Sequence, residues 1–244
     1  MLHGLRTALG RFGLLQRRCA SCGMPVPSSP GHEAIPAPLC PECAKTLLPR
    51  TGGYCPTCGT MFGLESCEPV RCGDCRLSPP PWDRFIFHGR YEGRLRELIL
   101  SYKFNGGLGQ SRLLGELAAK AWLRAGPPLP GLVAPVPLHR RRLLWRGYNQ
   151  SLELARTTAR RAGMPLSTTA LVRLRNTPPQ STLPGPKRQA NIKDAFAADA
   201  ALVSSQRVLL VDDVCTTGST LRECASVLKQ AGAVAVDVLV LART

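Results

Sequence analysis

Aromatic residues are scarce in this chain, at 5%, acids are half as numerous as bases, and lysine is rare beside arginine. No apolar run reaches the ~18 residues that a membrane-spanning helix requires. The first residues are broken by Arg6 and Arg11 and lack the apolar stretch of a secretion signal, so an intracellular, cytoplasmic protein is expected. Apolar residues at 44% and charged residues at 20% exclude wholesale disorder and a fibrous repeat. With 244 residues the chain has room for one large domain, or for one medium and one small domain.

The shortage of acids leaves 32 Lys and Arg against 16 Asp and Glu, a formal charge of +16. Residues 1–82 carry a net +3 of it and residues 83–244 a net +13. A field of that sign favours nucleic acid, phosphorylated metabolites or an anionic membrane surface. A general choice of Arg over Lys would produce the same excess.

Cysteine is plentiful in one place and scarce elsewhere. Nine of the eleven lie between Cys19 and Cys75, eight of them as CxxC pairs: Cys19/Cys22, Cys40/Cys43, Cys55/Cys58 and Cys72/Cys75. Two residues between cysteines let both thiolates face one ion from a tight turn, and two such turns complete a tetrahedral zinc site. Without a secretion signal, metal is favoured over disulfides. Two structural Zn2+ ions in consecutive ribbons over 19–78 are the simplest count. The ninth cysteine, Cys67, could replace a member of the second site, and interleaved pairing of the knuckles is also open. The ribbons are read first as a staple for a segment too small to build its own core. Their removal is expected to melt residues 19–76 and leave the remainder folded. Tyr54 and Phe62 are the only aromatics among the knuckles, so no base-stacking platform is indicated there.

Composition changes at Ser78-Pro79-Pro80-Pro81, which marks a linker before a larger domain at 82–244. There the periodicity predicts a strand over Phe85–Tyr91, a helix through Leu95, Leu98, Ile99 and Tyr102, and a second helix from Leu108 to Leu123. A strand at Leu132–Val136 and a helix over Asn149–Ala162 follow. Residues 172–194 are polar and broken by proline, and read as a long loop or arm. A strand at Arg207–Val211, a helix at Ser219–Ala231 and a strand at Val234–Leu241 close the chain as a strand-helix-strand unit with parallel pairing. The alternation is that of an α/β domain with a parallel sheet flanked by helices. Residues 1–18 place Leu2, Leu5, Leu9 and Phe12 at near-helical spacing among arginines. That amphipathic helix either packs on the protein or lies loosely on the inner face of a membrane.

The chemistry is concentrated at Val208-Leu209-Leu210-Val211-Asp212-Asp213-Val214-Cys215-Thr216-Thr217-Gly218-Ser219-Thr220. A buried strand ends in two carboxylates, and a Thr, Gly and Ser run opens the next helix. Free amides and the positive end of that helix suit a phosphate, while carboxylates repel phosphate and accept hydrogen bonds from sugar hydroxyls. Together they specify a ribose 5-phosphate. Cys215 is read as a tolerated small residue and not a nucleophile.

This run resembles the 5-phosphoribosyl 1-pyrophosphate (PRPP) motif of type I phosphoribosyltransferases. Further segments narrow the likeness: Val136-Pro137-Leu138-His139-Arg140-Arg141-Arg142, Arg146-Gly147-Tyr148-Asn149-Gln150-Ser151, Thr177-Pro178-Pro179-Gln180-Ser181, Arg188-Gln189-Ala190-Asn191, and Tyr91-Glu92-Gly93 through Lys103-Phe104. With the double ribbon in front, they are similar to the ComF family, the ComFC/GntX-like proteins, over nearly the whole chain from Cys19. The resemblance implies a type I phosphoribosyltransferase-like domain behind a zinc finger, and members are linked to natural competence, DNA uptake and the handling of single-stranded DNA. It implies that Asp212 and Asp213 hold the ribose hydroxyls and residues 215–220 the 5-phosphate, with Mg2+ accompanying PRPP.

After the strand ending in Val136-Pro137, a basic loop with His139, Arg140 and Arg146 is read, together with Pro137 and with Arg188 on the arm, as a site for pyrophosphate or DNA phosphate, or as a solvated charge run; Arg173, Arg175, Lys187 and Arg188 on the arm either close over PRPP or grip a phosphate backbone. Tyr148 and Asn149 are candidates for reading a base or for packing. Partners therefore comprise PRPP, single-stranded DNA and DNA-uptake proteins. Three activities stay open: a phosphoribosyl transfer enzyme in DNA handling, a salvage-type nucleobase enzyme without DNA binding, and a non-catalytic PRPP-responsive DNA-binding protein.

Overall fold

The computed structural model describes residues 17–26, 37–104, 108–177 and 191–244. The amphipathic helix expected at the start falls almost wholly outside the described residues, as does most of the arm, residues 178–190.

Two short helices, α1 (Pro41–Thr46) and α2 (Gly73–Leu77), belong to the cysteine-rich part, and each is capped by a cysteine, Cys40 and Cys72. The sheet begins with β1 (Arg84–Arg90), followed by helices α3 (Gly93–Phe104) and α4 (Leu108–Ala125). Next come β2 (Leu132–Pro135), α5 (Arg140–Arg146) and α6 (Gln150–Ala162). An antiparallel pair, β3 (Leu171–Arg173) and β4 (Phe196–Ala198), and the single turn α7 (Ala200–Val203) lead into the final unit. That unit is β5 (Arg207–Cys215), α8 (Ser219–Gln230) and β6 (Ala235–Arg243).

The main sheet has the order β1-β6-β5-β2, with every pairing parallel. Its strands read as near-continuous apolar runs because both faces are covered. The period of two then sorts them: Leu209 and Val211 of β5 with Leu239 and Leu241 of β6 enter one core cluster, with α3, α4 and α6. Val208 and Leu210 with Val236, Val238 and Val240 enter the other, under α8 and the β3–β4 pair. The domain is an α/β phosphoribosyltransferase-like parallel sheet flanked by helices.

Three local readings differ from the expectation. First, β5 does not stop at Val211 but continues to Cys215, because β6 runs beside it as far as the Cys215–Arg243 pair. Second, the basic run after Pro137 is a helix and not a loop; His139 Nδ1 accepts from Arg141 N at 3.3 Å, and Gly147 closes it at φ +84°. Third, the segment 172–194 is not unstructured from end to end, since β3 and β4 tie its two roots together.

The cysteine-rich part is not a detached bead. Ala37 and Leu47 are buried in the first core cluster, and Tyr54, Cys58 and Met61 pack on the second. These segments cover β1, an edge strand that would otherwise leave backbone groups open to pairing. Arg50 N donates to His88 O at 2.8 Å, and the Tyr54 and Phe87 rings meet edge to face at 4.9 Å. His88 Nε2 donates to Leu47 O at 3.0 Å, which fixes its tautomer because a carbonyl can only accept.

Burial, assisted by the charges of Arg124 and Lys120, lowers His88 to about 4, against the Leu47 hydrogen bond. The folded protein therefore binds fewer protons here than the unfolded chain between about pH 6.5 and 4, and stability is lost as pH falls through that window. Urea titrations should show wild type losing ground to His88→Gln, which keeps a donor for Leu47 O, by up to ~1.4 kcal/mol per pH unit between those limits. A pH-independent difference would place the lost proton elsewhere.

Candidate functional site

The cysteines form two clusters, Cys19/Cys22/Cys40/Cys43 and Cys55/Cys58/Cys72/Cys75, with the sulfurs of each within 4.8 Å of one another. Pairing is thus consecutive and not interleaved. Cys67 stands outside both clusters and is exposed. A tetrahedral zinc with Zn–S of ~2.3 Å places sulfurs about 3.8 Å apart, whereas a disulfide needs about 2.05 Å. The Cys22–Cys40 sulfurs are 3.7 Å apart and the Cys58–Cys72 sulfurs 3.8 Å, spacing that fits a shared ion.

The protein also prepares one thiolate in each cluster. Burial opposes ionisation of Cys19 and Cys55, but backbone N–H groups outweigh it and lower both to about 6: those of Cys40, Cys22 and Ser21 for Cys19, and those of Cys72, Thr57 and Cys58 for Cys55. Burial and the neighbouring sulfurs instead push Cys43 up to about 12, and Cys75 rises for the same reasons. Four sulfurs at such distances can all be anionic only around a cation. Both sets are compatible with structural zinc. Elemental analysis of anaerobically purified protein should find about two zinc ions per chain. Because these segments bury side chains in both cores, chelation should lower the melting midpoint of the whole protein, instead of melting residues 19–76 alone; an unshifted sheet transition would show that the packing contributes nothing.

At the carboxyl end of β5, the acidic pair lies where a parallel strand runs into its following helix, the usual ligand position of such sheets. Asp213 is buried, and its Oδ1 pairs with Lys103 Nζ at 2.8 Å, from the end of α3. Asp212 Oδ1 accepts from Ser151 Oγ at 2.8 Å and from the Asp213 N–H at 2.9 Å. Ser151 is aimed by the start of α6, where Asn149 Oδ1 accepts Ser151 N at 3.1 Å and Asn149 Nδ2 donates to Val136 O at 3.1 Å. Burial works against the Lys103 ammonium, yet the charge and hydrogen bond of Asp213 outweigh it and raise its pKa.

Burial, and after it the Asp213 carboxylate, push Asp212 up to about 7 despite the Ser151 hydroxyl and Lys103. A carboxyl with a raised folded pKa stabilises the fold at low pH, and that contribution is lost as pH rises from about 4 through about 7. Asp212→Asn should therefore melt above wild type at pH 8, by on the order of 2 kcal/mol, with the gap closing towards pH 4. A gap of equal size at both pH values would mean that Asp212 is ionised throughout.

Beyond the acids the chain turns into α8. Gly218 adopts φ +77°, a left-handed conformation open to glycine and strained for other residues, and caps the helix. Thr216 and Thr217 are exposed, and Thr217 Oγ1 lies 2.9 Å from Ser219 Oγ. Val214 turns inward against the first core cluster. Cys215 is buried, which pushes its thiol up to about 12 and makes it a poor nucleophile. Thr220 lies in the first turn of α8. Residues 212–219 thus present two carboxylates, hydroxyls and a helix start on one short stretch.

The other expected phosphate contacts are dispersed. His139 caps α5, Arg140 is exposed on it, and Arg146 donates to Gln150 Oε1 at 3.0 Å. Pro137 lines a cavity of about 360 Å³ with Leu138, Tyr148, Asn149 and Arg156. Tyr148 donates its hydroxyl hydrogen to Tyr102 O, a packing role. Arg188 lies outside the described residues. Arg173, at the end of β3, lies over the Phe196 ring at 5.3 Å. Burial and Arg142 lower its pKa while Asp212 raises it, and its Nη2 donates to Thr177 Oγ1 at 2.5 Å as Arg142 Nη2 donates to Thr177 O at 3.2 Å. The first root of the arm is therefore tied to α5 through Thr177.

Sequence reasoning did not assign roles to Ser151 and Lys103 at the acids. Lys103 carried a signal, as one of few lysines in an arginine-rich chain. Ser151 meets Asp212 only through the tertiary fold.

Residues 149–244 match the phosphoribosyl transferase domain family. The DNA utilization protein YhgH of Salmonella typhi is 35% identical over 230 residues, covering 93% of this chain and 96% of that protein. Competence protein F of Haemophilus influenzae is 34% identical over 84% of this chain and 90% of its own, and competence protein ComFC of Bacillus subtilis 25% over 80% and 79%. The chain belongs to the ComF family, that of competence protein F and the DNA utilization protein. A purine phosphoribosyltransferase from Pyrococcus horikoshii aligns with TM-score 0.32 and 17% identity over 54% of this chain and 70% of that one, too loosely to carry an argument.

Proposed function

We propose that the chain binds PRPP with Mg2+ and serves DNA handling in competence as a phosphoribosyl transfer enzyme of the cytoplasm. The observation that supports it is the acid pair Asp212-Asp213 next to the Gly218 turn that opens α8. Carboxylates accept from the 2- and 3-hydroxyls of ribose and supply hard oxygen donors suited to Mg2+, while the amides and hydroxyls of residues 215–220 meet the 5-phosphate. Transfer breaks the bond from ribose C1 to pyrophosphate and forms one to a nitrogen of the acceptor, which gives up its proton. The protein's contribution is positioning and stabilisation of the departing negative charge.

PRPP with Mg2+ should raise the melting midpoint by mass action, and release of pyrophosphate should follow addition of an acceptor base or oligonucleotide. In Asp212→Ala/Asp213→Ala the PRPP increment should vanish, even if removal of two like charges steadies the ligand-free fold. An unchanged increment in that variant would sink the assignment of the ribose to these acids.

Single-stranded DNA is the proposed macromolecular partner, and α5 its surface. No residue of that helix is buried, it has four arginines and no acid, and Trp145 and Leu144 are 76% and 84% exposed. Arginines neutralise phosphates, and an exposed indole stacks on unpaired bases of any sequence. Arg142 is tied to Thr177, so Arg140 and Arg141 are the phosphate contacts. Replacing both with Ala should flatten the log-log salt slope by about 1.4, and Trp145→Ala should cost ~1–3 kcal/mol in binding. No binding of a 30- to 60-mer at about 150 mM salt, with zinc intact, would leave a small-molecule enzyme as the better account.

A further inference from the structure

The second cysteine cluster and the 215–220 loop are held by the same two side chains. Arg243, the last residue of β6, donates from Nε to Cys58 O at 3.0 Å and from Nη2 to Thr60 Oγ1 at 3.2 Å. Its Nη1 faces the other way, to Cys215 O at 3.3 Å, to Thr216 O, and to Thr244 O at 2.8 Å. One rigid guanidinium thus joins the Cys55–Cys58 knuckle to the start of the loop. Trp82 makes a second link. Its Nε1 donates to Thr57 O at 2.7 Å, its ring tip lies 3.6 Å from where a Cβ on Gly218 would stand, and Arg222 of α8 stacks over it at 5.4 Å.

In a planar trans peptide, the carbonyl and the next N–H point in opposite directions. The Cys215 carbonyl is held as well by Thr244 N at 3.1 Å, so Arg243 acts chiefly on the Thr216 carbonyl, and drawing that carbonyl in turns the Thr217 amide away from the guanidinium. The far end of the guanidinium is placed by the knuckle, which is folded by Gly59 N donating to Cys55 O at 2.8 Å and by Cys72 N reaching Cys55 Sγ at 3.3 Å. A knuckle that opens when its thiolates lose their shared ion releases Cys58 O and Thr60, and with them one side of Arg243.

We propose that Arg243 is a positioning residue that couples the metal state of the Cys55/Cys58/Cys72/Cys75 cluster to the grip of residues 215–218 on a sugar phosphate. The coupling rests on the PRPP reading of that loop. Linkage makes it reciprocal: if the closed knuckle favours PRPP, bound PRPP holds the knuckle closed by the same factor.

The experiment uses the intact zinc-loaded protein with excess Mg2+ and follows the transfer of zinc to a zinc-selective chelator, with and without saturating PRPP. In wild type, PRPP should slow the release of one of two zinc ions by about fivefold or more. In Arg243→Ala with both zinc ions retained, PRPP should bind at least about tenfold more weakly, and saturating PRPP should no longer slow release. A merely structural role would lower the ligand-free midpoint and leave that protection intact. Should Arg243→Ala lose its zinc or fail to fold, Trp82→Phe, which keeps the ring and removes the bond to Thr57 O, should show a reduced protection factor. Wild-type PRPP affinity and protection in the folded variant would overturn the proposal while leaving the PRPP reading standing. A wild type that shows no PRPP binding at all would overturn both.

Discussion

Two adjacent carboxylates at the end of a buried strand cannot both be ionised without compensation, and the surroundings of β5 are arranged around that constraint. Lys103 neutralises Asp213 from the end of α3, and Ser151 solvates Asp212 from the start of α6. Each helix is thereby fixed at one terminus to the same half-turn of chain. Burial leaves Asp212 near the midpoint of its titration at neutral pH, with a proton to release when a ligand offers hydroxyl donors.

Much of this was legible in the sequence, and for identifiable reasons. Four apolar residues before Asp212, too few for a helix and bounded by turn residues, read as a buried strand, and Gly218 followed by Ser219 announces a helix start, because both signals are local. The CxxC spacing likewise prescribes its own geometry. What failed to show was non-local. Continuation of β5 to Cys215 depends on β6 running alongside, and the β3–β4 pair joins residues more than twenty positions apart. The helical state of Arg140–Arg146 was hidden for another reason: with no buried residue, it has no hydrophobic period to read, and only its caps, His139 and Gly147, betray it.

The cysteine-rich part changes meaning in three dimensions. As sequence it reads as an appendix too small for a core. In the fold it covers the β1 edge, contributes side chains to both faces of the sheet, and reaches the loop after β5 through Trp82 and Arg243. A metal-closed knuckle has fixed geometry at low entropic cost, and this makes it a firm abutment for a loop that must hold its amides in one orientation.

The strand order carries a consequence for how the chain is made. β1 has one neighbour in the sheet, β6, and Arg84 pairs with Asp237 across almost the whole length of the larger domain. During synthesis the cysteine-rich segments and β1 emerge well before β6, the strand on which β1 must lie. Until then the apolar flank of β1 and the inner faces of both knuckles have nothing to rest on. Ion capture by the cysteines can occur early, because it is local, whereas docking must wait until β6 has been made. Loss of β6 would therefore leave the cysteine-rich part without its seat.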